Sequence, residues 1–127
     1  MQESEPMLEH EKINYVEFPS RDIPATKAFF TTVFGWSFTD YGPDYTSFEN
    51  QGIASGGFFA SDHASQTSNG GALIVFYSND LEATQAKIER AGGTIVRPTF
   101  SFPGGRRFHF TEPSGNEFAV WSDKEPR

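Results

Sequence analysis

The sequence predicts an α+β fold: two tandem βαβββ modules whose strands form a cupped mixed sheet. Three observations carry this. The chain repeats itself at an offset of 58 residues, which sets "FPSRDIPATKAFF" over "FYSNDLEATQAKI" with seven identities within eighteen positions. Both copies place an Asp (Asp22, Asp80) where it caps a helix N-terminus. After each helix come three short apolar segments separated by turns rich in Gly and Pro.

Residues 1–11 are polar and charged and read as a flexible N-terminus. A single domain covers 12–123, with one module at 12–60, a polar linker at 61–71 and a second module at 72–123; 124–127 form a tail. The first module opens with the strand in "INYVEFPS". Its helix follows with an apolar stripe of Ile23, Thr26, Phe30 and Val33, spaced to keep one face on a core, and ends near Gly35. The segments "WSFTD", "DYTSFE" and "IASGGFF" read as its remaining strands. In the second module the stripe is Leu81, Thr84, Ile88 and Ala91, ending at Gly92 and Gly93, and the strands are "TIVRPTF", "RRFHFTE" and "NEFAVWS". The turns "YGPD", "FPGG" and "EPSGN" separate them. Neither module can bury both faces of its own sheet, so the two must pair. One sheet face takes the helices and the other stays concave.

Composition narrows the function classes. The 127 residues include fourteen Phe, enough to pack a core and to line an apolar ligand cavity. A net charge of −7 opposes binding to nucleic acid or to anionic membranes, and suits solubility and cationic ligands. With no cysteine, disulfides, thiolate metal sites and cysteine nucleophiles are excluded. No basic-then-apolar leader and no apolar run of membrane-spanning length is visible, so a soluble cytoplasmic protein is expected.

Strand parity selects the candidate site. Side chains alternate across a strand, so Tyr15 and Glu17 share one face and Val16 and Phe18 the other. The same alternation sends Phe108, Phe110, Phe118 and Val120 towards the helices. It leaves Arg107, His109, Thr111, Glu117, Ala119 and Trp121 on the concave side. Aromatic walls with a few convergent polar groups suit a ligand site. A carboxylate beside an imidazole can also act as general acid and base, so Glu17, His109 and Glu117 are the catalytic candidates. Tyr15, Arg107, Trp121, Tyr45 and Phe58 are the ligand-binding candidates. A structural alternative makes Arg107 the neutralising partner of Glu17 or Glu117. His10 and His63 read as solvated residues, and Trp36 as core. The "GGF" at 56–58 strips side chains from a strand, which admits a ligand or the partner chain.

The openings "YVEFPSRDIPATKAFFTTVFGW" and "DLEATQAKIERAGGTIVRP", with the closing "FHFTEPSGNEFAVW", resemble the vicinal oxygen chelate superfamily over residues 13 to about 122. That group contains glyoxalase I, extradiol dioxygenases, fosfomycin-modifying enzymes and bleomycin resistance proteins. Metal-dependent members hold a divalent cation with His and Glu at four positions, one on the first and one on the last strand of each module. By the resemblance these fall on Tyr15, on or next to Leu73, on about Gly56 and on Ala119. The resemblance therefore implies no metal at the usual site and no cofactor. It also implies a small organic ligand, cationic or aromatic, and a homodimer whose concave sheets complete one another. Three functions stay open: a metal-free small-molecule binder, a glyoxalase-like lyase or isomerase acting on a small carbonyl substrate, and a partner-binding scaffold.

Overall fold

The computed structural model describes residues 8–126, apart from Ile53 and the side chain of Asn50. The expected strand start at Ile53 and most of the expected flexible N-terminus therefore lie outside the described residues. In chain order the elements are β1 (Tyr15–Ser20), α1 (Ile23–Phe34), β2 (Thr39–Asp40), β3 (Tyr45–Gln51), β4 (Ala54–Ala60), β5 (Ile74–Tyr77), α2 (Leu81–Arg90), β6 (Thr94–Phe102), β7 (Gly105–Thr111) and β8 (Glu117–Ser122). The strands form two four-stranded hydrogen-bonded sheets, one per module, ordered β1-β4-β3-β2 and β5-β8-β7-β6. Each is mixed: β1 runs parallel to β4 and β5 to β8, and the other pairs are antiparallel.

The 58-residue repeat has a physical cause. In the first module Asp22 accepts from the Ala25 amide at 3.1 Å, the Ser20 hydroxyl accepts from the Asp22 amide, and Ser20 bonds Thr26 at 2.9 Å. The second module repeats the arrangement with Asp80 and Ala83 at 3.1 Å, Ser78 with the Asp80 amide, and Ser78 with Thr84 at 2.7 Å. The shared Ser, Asp and Thr thus turn each strand into its helix and cap the helix. Gly35 closes α1 in the left-handed conformation at φ 74°, where a Cβ is disfavoured.

Both helices lie against the faces that carry Phe18, Phe48 and Phe58 in the first sheet and Phe108, Phe110, Phe118 and Val120 in the second. On α1 the expected stripe is buried, together with Phe29. On α2 only Leu81 and Ile88 are buried. Phe30 is the hub: its ring lies 5.6 Å from Phe58, 5.4 Å from Phe118 and 4.5 Å from Trp36. The core therefore joins both modules. Trp36 stacks on Phe48 at 4.3 Å, which draws its segment inwards and reduces the expected strand "WSFTD" to the two residues of β2.

The "EPSGN" turn fastens the modules together. Glu112 is 1% exposed, and its carboxylate accepts hydrogen bonds from the Thr26 hydroxyl, from the Ser114 amide and hydroxyl, and from the Asn116 amide and side chain. Asn116 also donates to the Pro19 carbonyl at 2.6 Å. Buried polar groups persist only when paired, and here the partners come from both halves of the chain.

Candidate functional site

Three features qualify. The first is a cluster on the open, odd-numbered face of the first sheet. Tyr15 and Tyr45 meet hydroxyl to hydroxyl at 2.6 Å, and Tyr45 donates to Glu17 at 2.8 Å. Burial first, then these hydrogen bonds, push the Tyr45 hydroxyl well above the ordinary phenol range. Beside the cluster lies a hollow of about 310 Å³ lined by Tyr15, Tyr41, Ser47, Glu49 and Ser55. The glycines expected to admit a ligand instead make room for this cluster and for the core. A Cβ on Gly57 would run into the Tyr45 ring and hydroxyl, and one on Gly56 would meet Phe48 and the Val16 carbonyl.

The second feature is a dyad on the open face of the second sheet. His109, 5% exposed, holds Glu117 through Nδ1 at 2.8 Å. Glu117 Oε1 in turn accepts from the Thr67 amide at 2.8 Å and hydroxyl at 2.9 Å. Thr67 opens a short 3-10 turn, residues 67–69, within the linker. Burial opposes the ionised form of Glu117, but the hydrogen bonds from His109 and Thr67 outweigh it and hold the carboxyl below its ordinary range. Against a carboxylate, Nδ1 is the donor, so a neutral imidazole presents its lone pair at Nε2, which is buried and has no partner among the described residues.

The third feature is a groove of about 490 Å³ where β1 and β5, the edge strands of the two sheets, approach each other. Rings dominate its walls: Phe18, Phe34, Trp36, Phe48, Phe76 and Phe118, with Phe34 and Phe76 stacked at 4.3 Å. Its volume is that of an ordinary small-molecule site. Sequence parity missed it because its walls come from the helix-facing side of the strands. Phe34, at the end of α1, was the available signal, a large apolar residue off the buried stripe.

The structure groups the sequence-predicted residues into separate clusters. Glu17 joins Tyr15 and Tyr45 on one sheet, and His109 joins Glu117 on the other; no hydrogen bond or ion pair among the described residues links the two groups. Phe58 is corrected: it is fully buried, because its register opposite Phe18 turns it towards α1. Arg107 pairs with neither Glu17 nor Glu117. Its guanidinium lies over Phe100 and Phe102, at 5.3 and 5.9 Å. Trp121 packs edge-on to Tyr77 at 5.2 Å. Neighbouring Arg106 is taken by Glu82.

The positions matched to metal ligands do not fit a divalent cation. Gly56, Leu73 and Ala119 offer no donor side chain, and the Tyr15 hydroxyl is engaged with Tyr45. Among the described residues no group of three or more His, Asp or Glu could hold a metal ion. No helix among them is long and apolar enough to cross a membrane.

A paired βαβββ domain with an aromatic groove and polar open faces defines a class, and comparison with known proteins agrees. The family model of the Glyoxalase/Bleomycin resistance protein/Dioxygenase superfamily matches residues 12–120, and the chain belongs to that family. It is 30% identical over 124 residues to the anthracycline biosynthesis protein DauV of Streptomyces sp. (strain C5), covering 84% of this chain and 45% of the relative. It is 28% identical, with the same coverage, to the anthracycline biosynthesis protein DnrV of Streptomyces peucetius. The chain thus spans less than half the length of these relatives. Among solved structures, a glyoxalase/bleomycin resistance protein/dioxygenase family enzyme from Burkholderia phytofirmans PsJN superposes with a TM-score of 0.71 at 18% identity, covering 87% of this chain and 98% of that one. Lactoylglutathione lyase from Agrobacterium tumefaciens gives 0.65 at 20% identity, covering 88% and 93%. At these identities the structures share the fold, and function must be argued from the site.

Proposed function

We propose that the protein binds a small, ring-bearing organic molecule non-covalently, with the apolar body of the ligand in the groove between β1 and β5. The aromatic groove of about 490 Å³ carries this reading. The naming of DauV and DnrV as anthracycline biosynthesis proteins agrees with a polycyclic ligand. Anthraquinone- and naphthalene-sized compounds should raise the melting temperature and bind saturably. Phe76→Ala should weaken them about tenfold, the scale of one lost ring contact, and the groove-filling Ala54→Leu should weaken them too. Absence of saturable binding by any such ring compound would overturn the proposal. Binding is proposed to need no metal: calorimetric titration with Ni, Zn or Mn should show nothing tighter than micromolar, and a chelator should leave ligand affinity unchanged.

The reading includes a homodimer in the cytoplasm. The dimer is supported by the exposure of Tyr15 and Phe59 on the first sheet, of Tyr41 in the turn after β2, and of Val75 and Tyr77 on the second sheet. The two open faces also differ in charge, with Glu17 and Glu49 on one and Arg97 and Arg107 on the other.

A second reading, a lyase or isomerase moving a proton on a carbonyl substrate, is favoured by the Glu117–His109 dyad, which leaves Nε2 free to act as a base. Glu17, on the other sheet, would enter that chemistry only through a partner copy. Loss of turnover in His109→Gln with binding intact would establish this reading over simple binding.

A further inference from the structure

Around Phe100 the second sheet gathers two arginines that no carboxylate among the described residues pairs with. Two register shifts in β6, between Ile95 and Arg97 and between Arg97 and Phe100, bring these residues opposite His109 and Arg107 respectively. Bulges of this kind re-aim side chains, and here they set two arginines and a histidine around a single ring. Arg97 lies over Phe100 at 3.9 Å and Arg107 at 5.3 Å, and the His109 ring is 6.0 Å away. Neither arginine has a carboxylate partner among the described residues, although the chain as a whole carries −7. Three nitrogens of β7, Arg106 Nε, Arg107 Nε and His109 Nε2, are buried without a hydrogen-bond partner among the described residues; the Arg106 guanidinium is already held by Glu82, and the other two residues surround Phe100. Buried polar groups are almost always paired, so unpaired ones mark places where another molecule completes the set.

The two kinds of nitrogen ask for different things. The Glu117 contact at Nδ1 leaves His109 Nε2 as an acceptor, whereas the guanidinium Nε is only a donor. A carboxylate would suit the arginines but repel the lone pair, and a neutral ether could accept from an arginine but has no proton to offer Nε2. A hydroxyl that can ionise suits both, because its proton goes to Nε2 and its oxygen keeps the electron pair beside the arginines. No other bond is made or broken. We propose that this corner of the second sheet is a subsite for an acidic hydroxyl, a phenol or enol, on an aromatic ligand, gripped by His109, Arg107 and Arg97. The planar guanidiniums and the Phe100 ring supply stacking surfaces for the aromatic part. The subsite lies on the open face of the second sheet and does not rest on occupancy of the groove.

The test uses the full chain with 4-nitrophenol, whose ionised form is coloured, and 4-nitroanisole, which keeps the ring and lacks the proton. Saturating protein should increase the phenolate fraction at fixed pH, equivalent to a fall of about one unit in the pKa of the bound phenol. 4-Nitroanisole should bind at least about tenfold more weakly, the ratio one pKa unit represents. Arg97→Gln and Arg107→Gln should each reduce the phenolate gain, and His109→Gln should remove most of it. Ala54→Leu, which fills the groove, should leave it intact, so failure of groove binding would not be mistaken for failure here. An unchanged phenolate fraction, equal binding of 4-nitroanisole, or a full gain in Arg97→Gln/Arg107→Gln would overturn the proposal.

Discussion

Glu112 and Glu117 are five residues apart on one turn and strand, yet they do opposite work. Glu112 is enclosed by donors from both modules, so Glu112→Gln, which sets an NH2 against them, should cost about 2–3 kcal/mol of stability. Urea unfolding measures this. Glu117 faces the open side and titrates below its ordinary range when folded. Its contribution is therefore complete above the unfolded value of about pH 4.3 and is lost as pH falls through the lower native value, because the unfolded state then binds more protons. In Glu117→Gln the fall of the urea midpoint between pH 5 and pH 3 should be shallower than in the wild type, with about 1–2 kcal/mol already missing at pH 7. At this scale the sequence was half legible. Alternation along β7 and β8 placed His109 and Glu117 on one face, eight residues apart across a single turn, but did not announce their contact. Nothing local announced that Thr67, fifty residues away, would hold the same carboxylate, or that Glu112 would be the interior one.

The helices and their entries were the most readable elements, because capping and stripe spacing are local chemistry. Asp22→Ala and Asp80→Ala should each cost about 1 kcal/mol in thermal or urea unfolding. β4 was harder. Its glycines correctly signalled close approach, but what approaches is the chain's own Tyr45 and Phe48. Gly57→Ala should displace Tyr45, destabilise the fold by about 1–3 kcal/mol, and couple non-additively to Tyr45→Ala in a double-mutant cycle. Phe58 was misplaced for a related reason. A run of two glycines and two phenylalanines carries no polar alternation to fix the face, and only the pairing with β1 settles it.

For the whole molecule, the proposed pairing of an acidic with a basic open face has a salt signature. Sedimentation equilibrium should show a dimer that loosens as ionic strength rises from about 0.05 to 0.5 M, since the Debye length shrinks across that range. A dimer indifferent to salt would instead point to the exposed Tyr and Val side chains as its main cement. The groove between β1 and β5 was the least legible feature of all, because it belongs to the meeting of two sheet edges and to no single segment. The "EPSGN" clasp makes the two halves of the chain non-interchangeable. By strand register β7 and β8 match β3 and β4 at an offset of 62 residues, which sets Glu112 on Asn50, Ser114 on Gly52 and Asn116 on Ala54, so the first half carries no carboxylate at the clasp position. Two copies of the first half joined in tandem would keep strand-to-helix entries and caps but have no carboxylate to receive Thr26. Each half therefore carries half of a lock: Thr26 and the Pro19 carbonyl on one side, Glu112 and Asn116 on the other.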